Sequence, residues 1–398
     1  MKNMHRIWAE IDLDAIAHNV REIRRRLKPE TRLMGVVKAD AYGHGVMETA
    51  KTILENGADS LAVACIDEAV QLRRQGIDVP ILVLGASDRE TCEDFVKYDI
   101  MPSVFDAETA EHFSEIAESI GKIVSVHVKI DTGMSRIGFL YDGNGENRRR
   151  TECEIVKISQ LPSLKIDGMF THFASADEED GGYTQMQYER LTGLAERLSA
   201  QGIDIPTKHA GNSAAIMKFP EMQLDMVRAG IIMYGMYPSD EVDRGLLPLR
   251  PAMKFKARVI HVKEVDCGTC VSYGRTFRTE RKTKIATVAA GYADGYTRML
   301  SGKTEVIVDG VLAKQIGRIC MDQCMIDVTD VNNISVGDEV ILFGSDGKCS
   351  IPIESIAEKI GTINYEISCM VSRRVPRIYI KDGRIEESVN YLLEGCDL

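Results

Sequence analysis

Short apolar runs recur from Arg32 to about Gly235, each followed by a turn and then by a stretch with helical spacing. The runs are Leu33–Ala39, Ser60–Ala64, Val79–Gly85, Ile100–Phe105, Ile123–Ile130, Leu164–Phe173, Lys208–Gly211 and Met226–Tyr234, of which the seventh is short and polar. Strands that are apolar on both faces and alternate with helices pair in parallel. Eight such units predict an α/β fold built on an N-terminal (β/α)8 TIM-type barrel.

The intervening segments carry apolar residues three and four positions apart, as a helix with one buried face requires. In Asp106–Ile120, the residues Ala110, Phe113 and Ala117 share one face, and Gly121 marks the end of the segment. A further helix, Asp14–Leu27, is predicted before the first strand.

After about Pro251 the pattern changes to short alternating runs joined by tight turns. The runs are Met253–Val265, Thr269–Phe277, Lys284–Ala290, Glu305–Val308, Val311–Ile316, Met325–Val328 and Glu339–Phe343, followed by helical segments near Ile353–Ile360 and Asn364–Ser372. Asp309-Gly310 between two apolar runs is a strong hairpin signal. We therefore predict a barrel over residues 1–248 and a mostly antiparallel β domain over 249–398. The first residues are candidates for pairing with the second domain.

Composition narrows the class of protein. The 398 residues carry a net charge of −11, which argues against a nucleic-acid surface. The charged N-terminal segment does not resemble a secretory signal, and no apolar stretch of roughly 18 residues predicts a membrane span. Ten cysteines without a signal favour reduced thiols and a cytoplasmic protein.

Two cysteine pairs raise the alternative of a zinc site. They are Cys267/Cys270 and Cys320/Cys324. The second spacing is loose for zinc, and both pairs lie in strand-like segments, so small buried thiols are the better interpretation. We predict no metal site.

The segment Val36–Gly45, VVKADAYGHG, carries the most informative chemistry. A lysine at the end of a buried strand is desolvated, which lowers the pKa of its ammonium and makes its amine available to attack a carbonyl. The glycines allow a loop to approach a phosphate closely. Lys38 with this loop therefore suits an aldehyde cofactor that carries a phosphate, namely pyridoxal 5'-phosphate. The alternative is a surface lysine beside a glycine turn.

Polar residues interrupt the apolar runs repeatedly at the C-terminal ends of the predicted strands, where the chemistry of such barrels takes place. They are Lys38 and Tyr42 after the first strand, Arg136 after the fifth, His172 after the sixth, Asn212 and Ser213 after the seventh, and Arg228, Gly230 and Ile231 on the eighth. The loops after strands seven and eight often hold a phosphate through backbone N–H groups and a hydroxyl. Taken singly, His172 could be a core histidine, Arg228 a member of a buried ion pair and Arg136 a surface residue.

A series of motifs between Ile7 and Tyr379 resembles the alanine racemase family. The motifs are VVKADAYGHG, KIDTGMSRIGF, FTHFASAD, HAGNSAA, VRAGIIMYG, VSYGRTF, AGYADGYTR, IGRICMDQ and INYEISC. The resemblance implies pyridoxal phosphate bound to Lys38, which acts as one catalytic base, and Tyr273 as the other base. It also implies a homodimer in which each active site receives Tyr273 of the partner subunit.

The resemblance implies further roles, residue by residue. Tyr42, Ser213, Gly230, Ile231 and Tyr365 hold the phosphate; Arg228 faces the pyridine nitrogen and His172 supports it. Arg136 binds the phenolic oxygen of the cofactor and the substrate carboxylate, and Met321 of the partner subunit completes the carboxylate site. Lys129 matches a position that is carbamylated in many relatives, the alternative being an ordinary buried ion pair.

Alternative functions stay open at this point. They are a serine or broad-specificity racemase, a basic amino-acid decarboxylase and a non-catalytic carrier of pyridoxal phosphate. A decarboxylase is expected to place a carboxylate at the pyridine nitrogen, where this chain offers Arg228. A carrier lacks the C-terminal domain. Tyr365 closes the pocket around a methyl-sized side chain and so favours alanine as the substrate. The family resemblance implies that the D-alanine produced serves peptidoglycan.

Overall fold

The computed structural model describes residues 5–394, and these form two compact units. One unit comprises Ala15–Ala41 and Val46–Arg250. The other comprises the described residues up to Asp14, the short segment Tyr42–Gly45, and the chain from Pro251 onwards. None of the helices within the described part of the chain is long and apolar enough to cross a membrane.

The first unit is a closed barrel of eight parallel strands. They are Arg32–Val36, Ser60–Val63, Ile81–Val83, Met101–Val104, Val124–Asp131, Leu164–Phe170, Thr207–His209 and Met226–Ala229. The last strand pairs with the first, from Met226 opposite Arg32 to Ala229 opposite Gly35, which closes the barrel. The predicted barrel is confirmed. A two-residue strand, Phe139–Leu140, extends the fifth barrel strand in parallel.

The helix Leu13–Arg26 precedes the first barrel strand. The helices that follow barrel strands are Val46–Glu55, Ile66–Arg74, Cys92–Lys97, Ala107–Ile120, Gly145–Ile158, Gly182–Ala200 and Ser213–Lys218. The helix predicted at Asp106–Ile120 is confirmed as Ala107–Ile120. It begins after Asp106, because the Asp106 carboxylate accepts the Thr109 N–H at 2.7 Å as an N-cap. Gly121 ends this helix in the left-handed region at φ 72°.

The second unit contains a ten-stranded sheet. Its order is Ser350–Ile351, Glu339–Ser345, Glu305–Val308, Val311–Ile316, Cys324–Asp327, Thr283–Val288, Met253–Val265, Ile7–Asp12, Arg377–Lys381 and Arg384–Val389. All neighbours are antiparallel except Ile7–Asp12 and Arg377–Lys381, which pair in parallel. The predicted hairpin is confirmed, since Val308 pairs with Val311 and both Asp309 (φ 48°) and Gly310 (φ 73°) are left-handed. The helices Ile353–Ile360, Asn364–Met370 and Tyr391–Glu394 complete the unit.

Several predicted strands are shorter than the apolar pattern indicated, and in three of them a turn replaces part of the strand. The first ends at Val36, and Lys38–Tyr42 forms a left-handed turn instead of continuing it. The eighth ends at Ala229 and gives way to a 3-10 turn, Ile231–Tyr234, that Gly235 closes at φ 80°. The segment predicted as Thr269–Phe277 is two short paired strands, Cys270–Val271 and Phe277–Arg278, joined by a turn at Tyr273–Arg275.

Candidate functional site

Lys38 begins an unusual backbone segment at the end of the first barrel strand. Ala39, Asp40, Ala41 and Tyr42 all have φ between 53° and 54°, a left-handed run that costs about 1–2 kcal/mol per residue. Within the barrel unit, the run is held by hydrogen bonds from Ala39 N to Glu68 Oε1 at 2.6 Å and from Val46 N to Asp40 Oδ1 at 2.9 Å. Backbone strain of this kind is typical of functional sites.

Arg228 is the centre of a buried hydrogen-bond network inside the barrel. Its guanidinium donates to the ring Nδ1 atoms of His209 at 2.8 Å and of His172 at 3.2 Å. It also donates to the carbonyl oxygens of Thr171 at 2.8 Å, Ala210 at 3.0 Å and His209 at 3.2 Å. Its Nε donates no hydrogen bond to any residue in the range 5–394, so this N–H is available to a ligand. Among the residues that the structure describes, no carboxylate forms an ion pair with this cation.

The network fixes the protonation of three histidines. An arginine can only donate, so both ring Nδ1 atoms that it contacts are acceptors and His172 and His209 carry their proton on Nε2. His209 Nε2 then donates to His127 Nδ1 at 2.8 Å. Burial, followed by the charge of Arg228, holds the pKa values of His172 and His209 well below their usual range. Burial lowers the pKa of His127 to about 4, so all three rings are neutral at pH 7.

Several cations meet around His172 at the C-terminal ends of the strands. Four of them, Arg228, Lys129, Arg136 and Lys38, lower the pKa of His172 in that order, after burial. Lys129 is 3% exposed and forms no hydrogen bond or ion pair with the described residues, and its Nζ lies 4.5 Å from the centroid of the Phe170 ring. Burial, then Arg228 and Arg136, holds the pKa of Lys129 well below its usual value.

Asp131, whose charge raises the pKa of Lys129, is already engaged by backbone donors. Asp131 Oδ1 accepts the backbone N–H groups of Gly133 and Ser135, each at 3.0 Å, and thereby shapes the loop that carries Arg136. Arg228, Lys129 and Arg136 form no ion pair with a carboxylate among residues 5–394, and a buried set of this kind is costly unless an anion completes it. This donor set therefore fits a ligand with phosphate, phenolate or carboxylate groups.

The loops after strands seven and eight are joined by a hydrogen bond from a backbone N–H to a side-chain hydroxyl. Gly230 N donates to Ser213 Oγ at 3.0 Å, and Ser213 and Ile231 are buried. These groups lie where barrels of this kind hold a phosphate. The side chain of Asn212 instead accepts the Ala215 N–H at 3.0 Å, so its amide oxygen caps the following short helix.

In the second unit, Tyr42 and Tyr365 are neighbours, with ring centroids 6.2 Å apart. Burial, followed by the charges of Tyr365 and Cys369, raises the pKa of Tyr42, so its phenol stays protonated and can donate. The chain next to Tyr42 is packed closely: a Cβ at Gly43, where φ is 81°, would lie 2.2 Å from the carbonyl oxygen of Ser368.

Tyr273 and Met321 lie on adjacent exposed loops of this second unit. The side chain of Tyr273 is 70% exposed and that of Met321 53% exposed. The two loops touch because Ser272, itself left-handed at φ 66°, donates from Oγ to the Arg318 carbonyl at 2.7 Å and lies 3.8 Å from Cys320 Sγ. A large exposed phenol on a strained turn is a group presented outwards.

The sequence missed His127 and His209. One signal could have found His127: it stands two residues before Lys129 in a strand whose alternate residues are polar, and residues at that spacing share a face. Gly168 leaves the space that the ring needs, because a Cβ there would lie 2.3 Å from His127 Nδ1. Gln187, discussed below, was missed because its partners are distant along the chain.

Two family models match this chain along most of its length. "Alanine racemase, N-terminal domain" matches residues 11–238, and "Alanine racemase, C-terminal domain" matches residues 252–379. The chain is 50% identical to an alanine racemase of Clostridium perfringens, over 97% of this chain and 98% of the relative. It is 51% identical to one from Methanococcus maripaludis, over 94% of this chain and 99% of the relative.

Solved structures give the same result. The fold superimposes on an alanine racemase of Clostridium difficile with a TM-score of 0.93 at 45% identity, covering 98% of this chain and 100% of the other. It superimposes on one from Bacillus anthracis with bound L-Ala-P with a TM-score of 0.92 at 39% identity, covering 99% and 100%. Fold, family models and full-length relatives agree, and the chain belongs to the alanine racemase family.

Proposed function

We propose that this protein interconverts L-alanine and D-alanine with pyridoxal phosphate as its cofactor. The observation that carries the proposal is the set of cations around neutral His172, with Lys38 among them and Asp131 hydrogen-bonded to backbone N–H groups. Such a set suits a cofactor with a phosphate and a phenolate and a substrate with a carboxylate. Membership of the family supplies the substrate class.

Several residues would hold the cofactor. Lys38 would bind it covalently, Arg228 would face the pyridine nitrogen, and Arg136 would bind the phenolic oxygen. Ser213, Gly230, Ile231, Tyr42 and Tyr365 are the proposed phosphate ligands, of which Ser213 Oγ and the protonated phenol of Tyr42 are hydrogen-bond donors. His172 supports Arg228 through their 3.2 Å hydrogen bond. We retain Asn212 only as a residue that shapes the loop through its cap.

Racemisation needs a proton to leave one face of the α-carbon and another to arrive on the opposite face. When bound, pyridoxal phosphate supplies a conjugated ring that accepts the electrons of the broken Cα–H bond. A single base would return the proton to the face from which it came. The amine of Lys38 on one face and the phenol of Tyr273 of the partner subunit on the other provide the two groups.

Arg228 has a specific consequence for this chemistry. Its charge beside the pyridine nitrogen would disfavour protonation there and so would weaken the ring as an electron sink. Negative charge would then stay near the α-carbon of the substrate, where protonation restores an amino acid. Burial, then Arg136, lowers the pKa of Arg228 only to about 9, so the guanidinium is charged at neutral pH.

The substrate carboxylate is assigned to Arg136 and to the backbone N–H of Met321 of the partner subunit. We also propose that Lys129 is carbamylated, because burial lowers the pKa of its amine and so favours the form that adds carbon dioxide with release of a proton. The carbamate would supply the anion that Arg136 lacks. The exposure of Tyr273 and Met321 supports a homodimer with shared active sites. D-alanine made in this way would serve peptidoglycan synthesis.

The test is racemisation of L-alanine by the purified protein with pyridoxal phosphate, followed by chiral chromatography, with L-serine in parallel. We expect an equal mixture of alanine enantiomers and slower turnover of serine, because Tyr365 limits the pocket and an added hydroxyl costs about 1–3 kcal/mol. Equal rates with serine would indicate a broad-specificity racemase. No turnover of either, with the cofactor bound to Lys38, would indicate a carrier and refute the proposal.

A further inference from the structure

One face of the Gly182–Ala200 helix forms hydrogen bonds to the loop that carries Arg136. Tyr183, Gln187 and Arg190 are four and three residues apart and therefore project on the same side. Tyr183 OH donates to the Gly133 carbonyl at 2.8 Å, and Arg190 donates to the Thr132 carbonyl at 2.7 Å. All of these residues belong to the barrel unit.

Gln187 differs from its two neighbours because it binds two strand ends at once. Its Nε2 donates to Thr132 Oγ1 at 3.2 Å and to the His172 carbonyl at 3.1 Å, while its Oε1 accepts the Ala174 N–H at 2.9 Å. The amide orientation is unambiguous, since a carbonyl can only accept and an N–H can only donate. The side chain has no solvent exposure, so each of these bonds lies out of water.

A second hydrogen bond, between two threonine hydroxyls, connects the same two strand ends. Thr132 Oγ1 lies 2.7 Å from Thr171 Oγ1, and the Thr171 carbonyl accepts from Arg228. Gln187 thereby connects the Arg136 loop to the backbone that orients His172 and Arg228. Arg136 itself has no hydrogen bond or ion pair with any residue in the described range, so its position follows from the backbone of its loop.

We propose that Gln187 is a positioning residue that holds the Arg136 loop in register with His172 and so sets the affinity for the substrate carboxylate. This inference rests on the proposed function, in which Arg136 binds that carboxylate. Gln187 touches neither substrate nor cofactor. Gln187 contributes by keeping the guanidinium of Arg136 in a fixed place, which matters because the substrate carboxylate that it binds is small and rigid.

The experiment uses the full-length protein loaded with pyridoxal phosphate and three variants. Gln187→Met keeps the length of the side chain and removes all three hydrogen bonds. Thr132→Val removes the hydroxyl at the centre of the bridge and leaves the helix untouched, which keeps the test decisive where Gln187→Met fails to fold. Gln185→Met is the matched control, because the side chain of Gln185 is exposed and, within residues 5–394, hydrogen-bonds only to Glu189 on its own helix.

Two readouts are independent of turnover. Hydrogen exchange by mass spectrometry follows the segments 131–138 and 171–176, and calorimetry measures the binding of propionate, a carboxylate that cannot racemise. We expect about tenfold faster exchange in segment 131–138, and about tenfold weaker propionate binding, in Gln187→Met and Thr132→Val, corresponding to the loss of one net hydrogen bond. Segment 171–176 should also exchange faster in Gln187→Met, and Gln185→Met should match the wild type.

Kinetics separate positioning from general loosening. The KM for alanine should rise about tenfold in both bridge variants with kcat within about threefold of wild type, since the two bases are not displaced. Unchanged exchange in segment 131–138, or a fall in kcat at constant KM, would overturn the inference. A wild-type protein without racemase activity would refute the proposed function alone, because exchange and propionate binding would still report on Gln187.

Discussion

The buried histidine chain makes the barrel sensitive to acid in a predictable direction. His127, His172 and His209 are neutral in the folded protein, and burial is the first cause of the lowered pKa of each. In the unfolded chain an imidazole has a pKa of about 6.5. Below that pH the unfolded state binds protons that the folded state does not, so stability is fully present above about pH 6.5 and falls as the pH is lowered.

The magnitude can be worked from His127, whose pKa falls to about 4 on folding. At pH 5.5 the unfolded imidazole has gained about 1.4 kcal/mol from protonation and the folded one almost nothing. At pH 4 and below, the loss from this residue approaches about 3 kcal/mol. His172 and His209 act with the same sign, because the pKa of each is also lowered on folding. The loss is large against a typical stability of about 5–15 kcal/mol.

The assay is urea unfolding of the holoprotein at pH 7.5, 6.5 and 5.5, with His127→Phe and His261→Gln as variants. His261 is exposed on the antiparallel sheet, so its replacement leaves the buried chain intact. His127→Phe lowers stability at pH 7.5, because His209 Nε2 loses its acceptor. It should nevertheless lose about 1.4 kcal/mol less than wild type between pH 7.5 and 5.5. An identical pH dependence in His127→Phe and wild type would refute neutral burial of this ring.

Three further predictions follow from the backbone and from the cation cluster. Ala39→Gly should leave stability unchanged or raise it by up to about 1 kcal/mol in thermal unfolding, because relief of a left-handed φ of 53° offsets the entropy of glycine; a clear loss would contradict the strain. Gly43→Ala should cost about 2–4 kcal/mol in the same assay, through its φ of 81° and the contact with Ser368, and a neutral result would contradict that packing. Labelling with 13C-bicarbonate should give a carbamate carbon signal that Lys129→Met lacks, and no signal in either protein would disprove carbamylation.

The barrel was predictable because its information is local. Each strand is a short apolar run, and each helix has apolar residues at helical spacing, so the eight units are read without knowledge of their contacts. The polar residues at the strand ends follow from the same register. Lys38, His172 and Arg228 were therefore identified as site candidates, and the pKa of His172 records the charges of both Lys38 and Arg228.

The features that were missed depend on residues far apart in sequence. KADAY contains no glycine to signal a left-handed turn, and one hydrogen bond that holds it comes from Glu68, 29 residues after Ala39. Gln187 lies 55 residues from Thr132, so its bridge is visible only in three dimensions. The turn at Tyr273 is an intermediate case, because Gly274 interrupts the alternating pattern and marks where the predicted strand breaks.

We propose that one active site uses Lys38 of one subunit and Tyr273 of the other. Subunit complementation is the experiment that tests this arrangement. Lys38→Ala and Tyr273→Phe homodimers each lack one base, so both should be nearly inactive in L-alanine racemisation. Hybrid dimers, purified through two different affinity tags, pair the intact Lys38 of one subunit with the intact Tyr273 of the other. We expect the hybrids to recover about half of wild-type activity per dimer, because one of their two sites has both bases. Hybrids as inactive as the two homodimers would contradict the shared site.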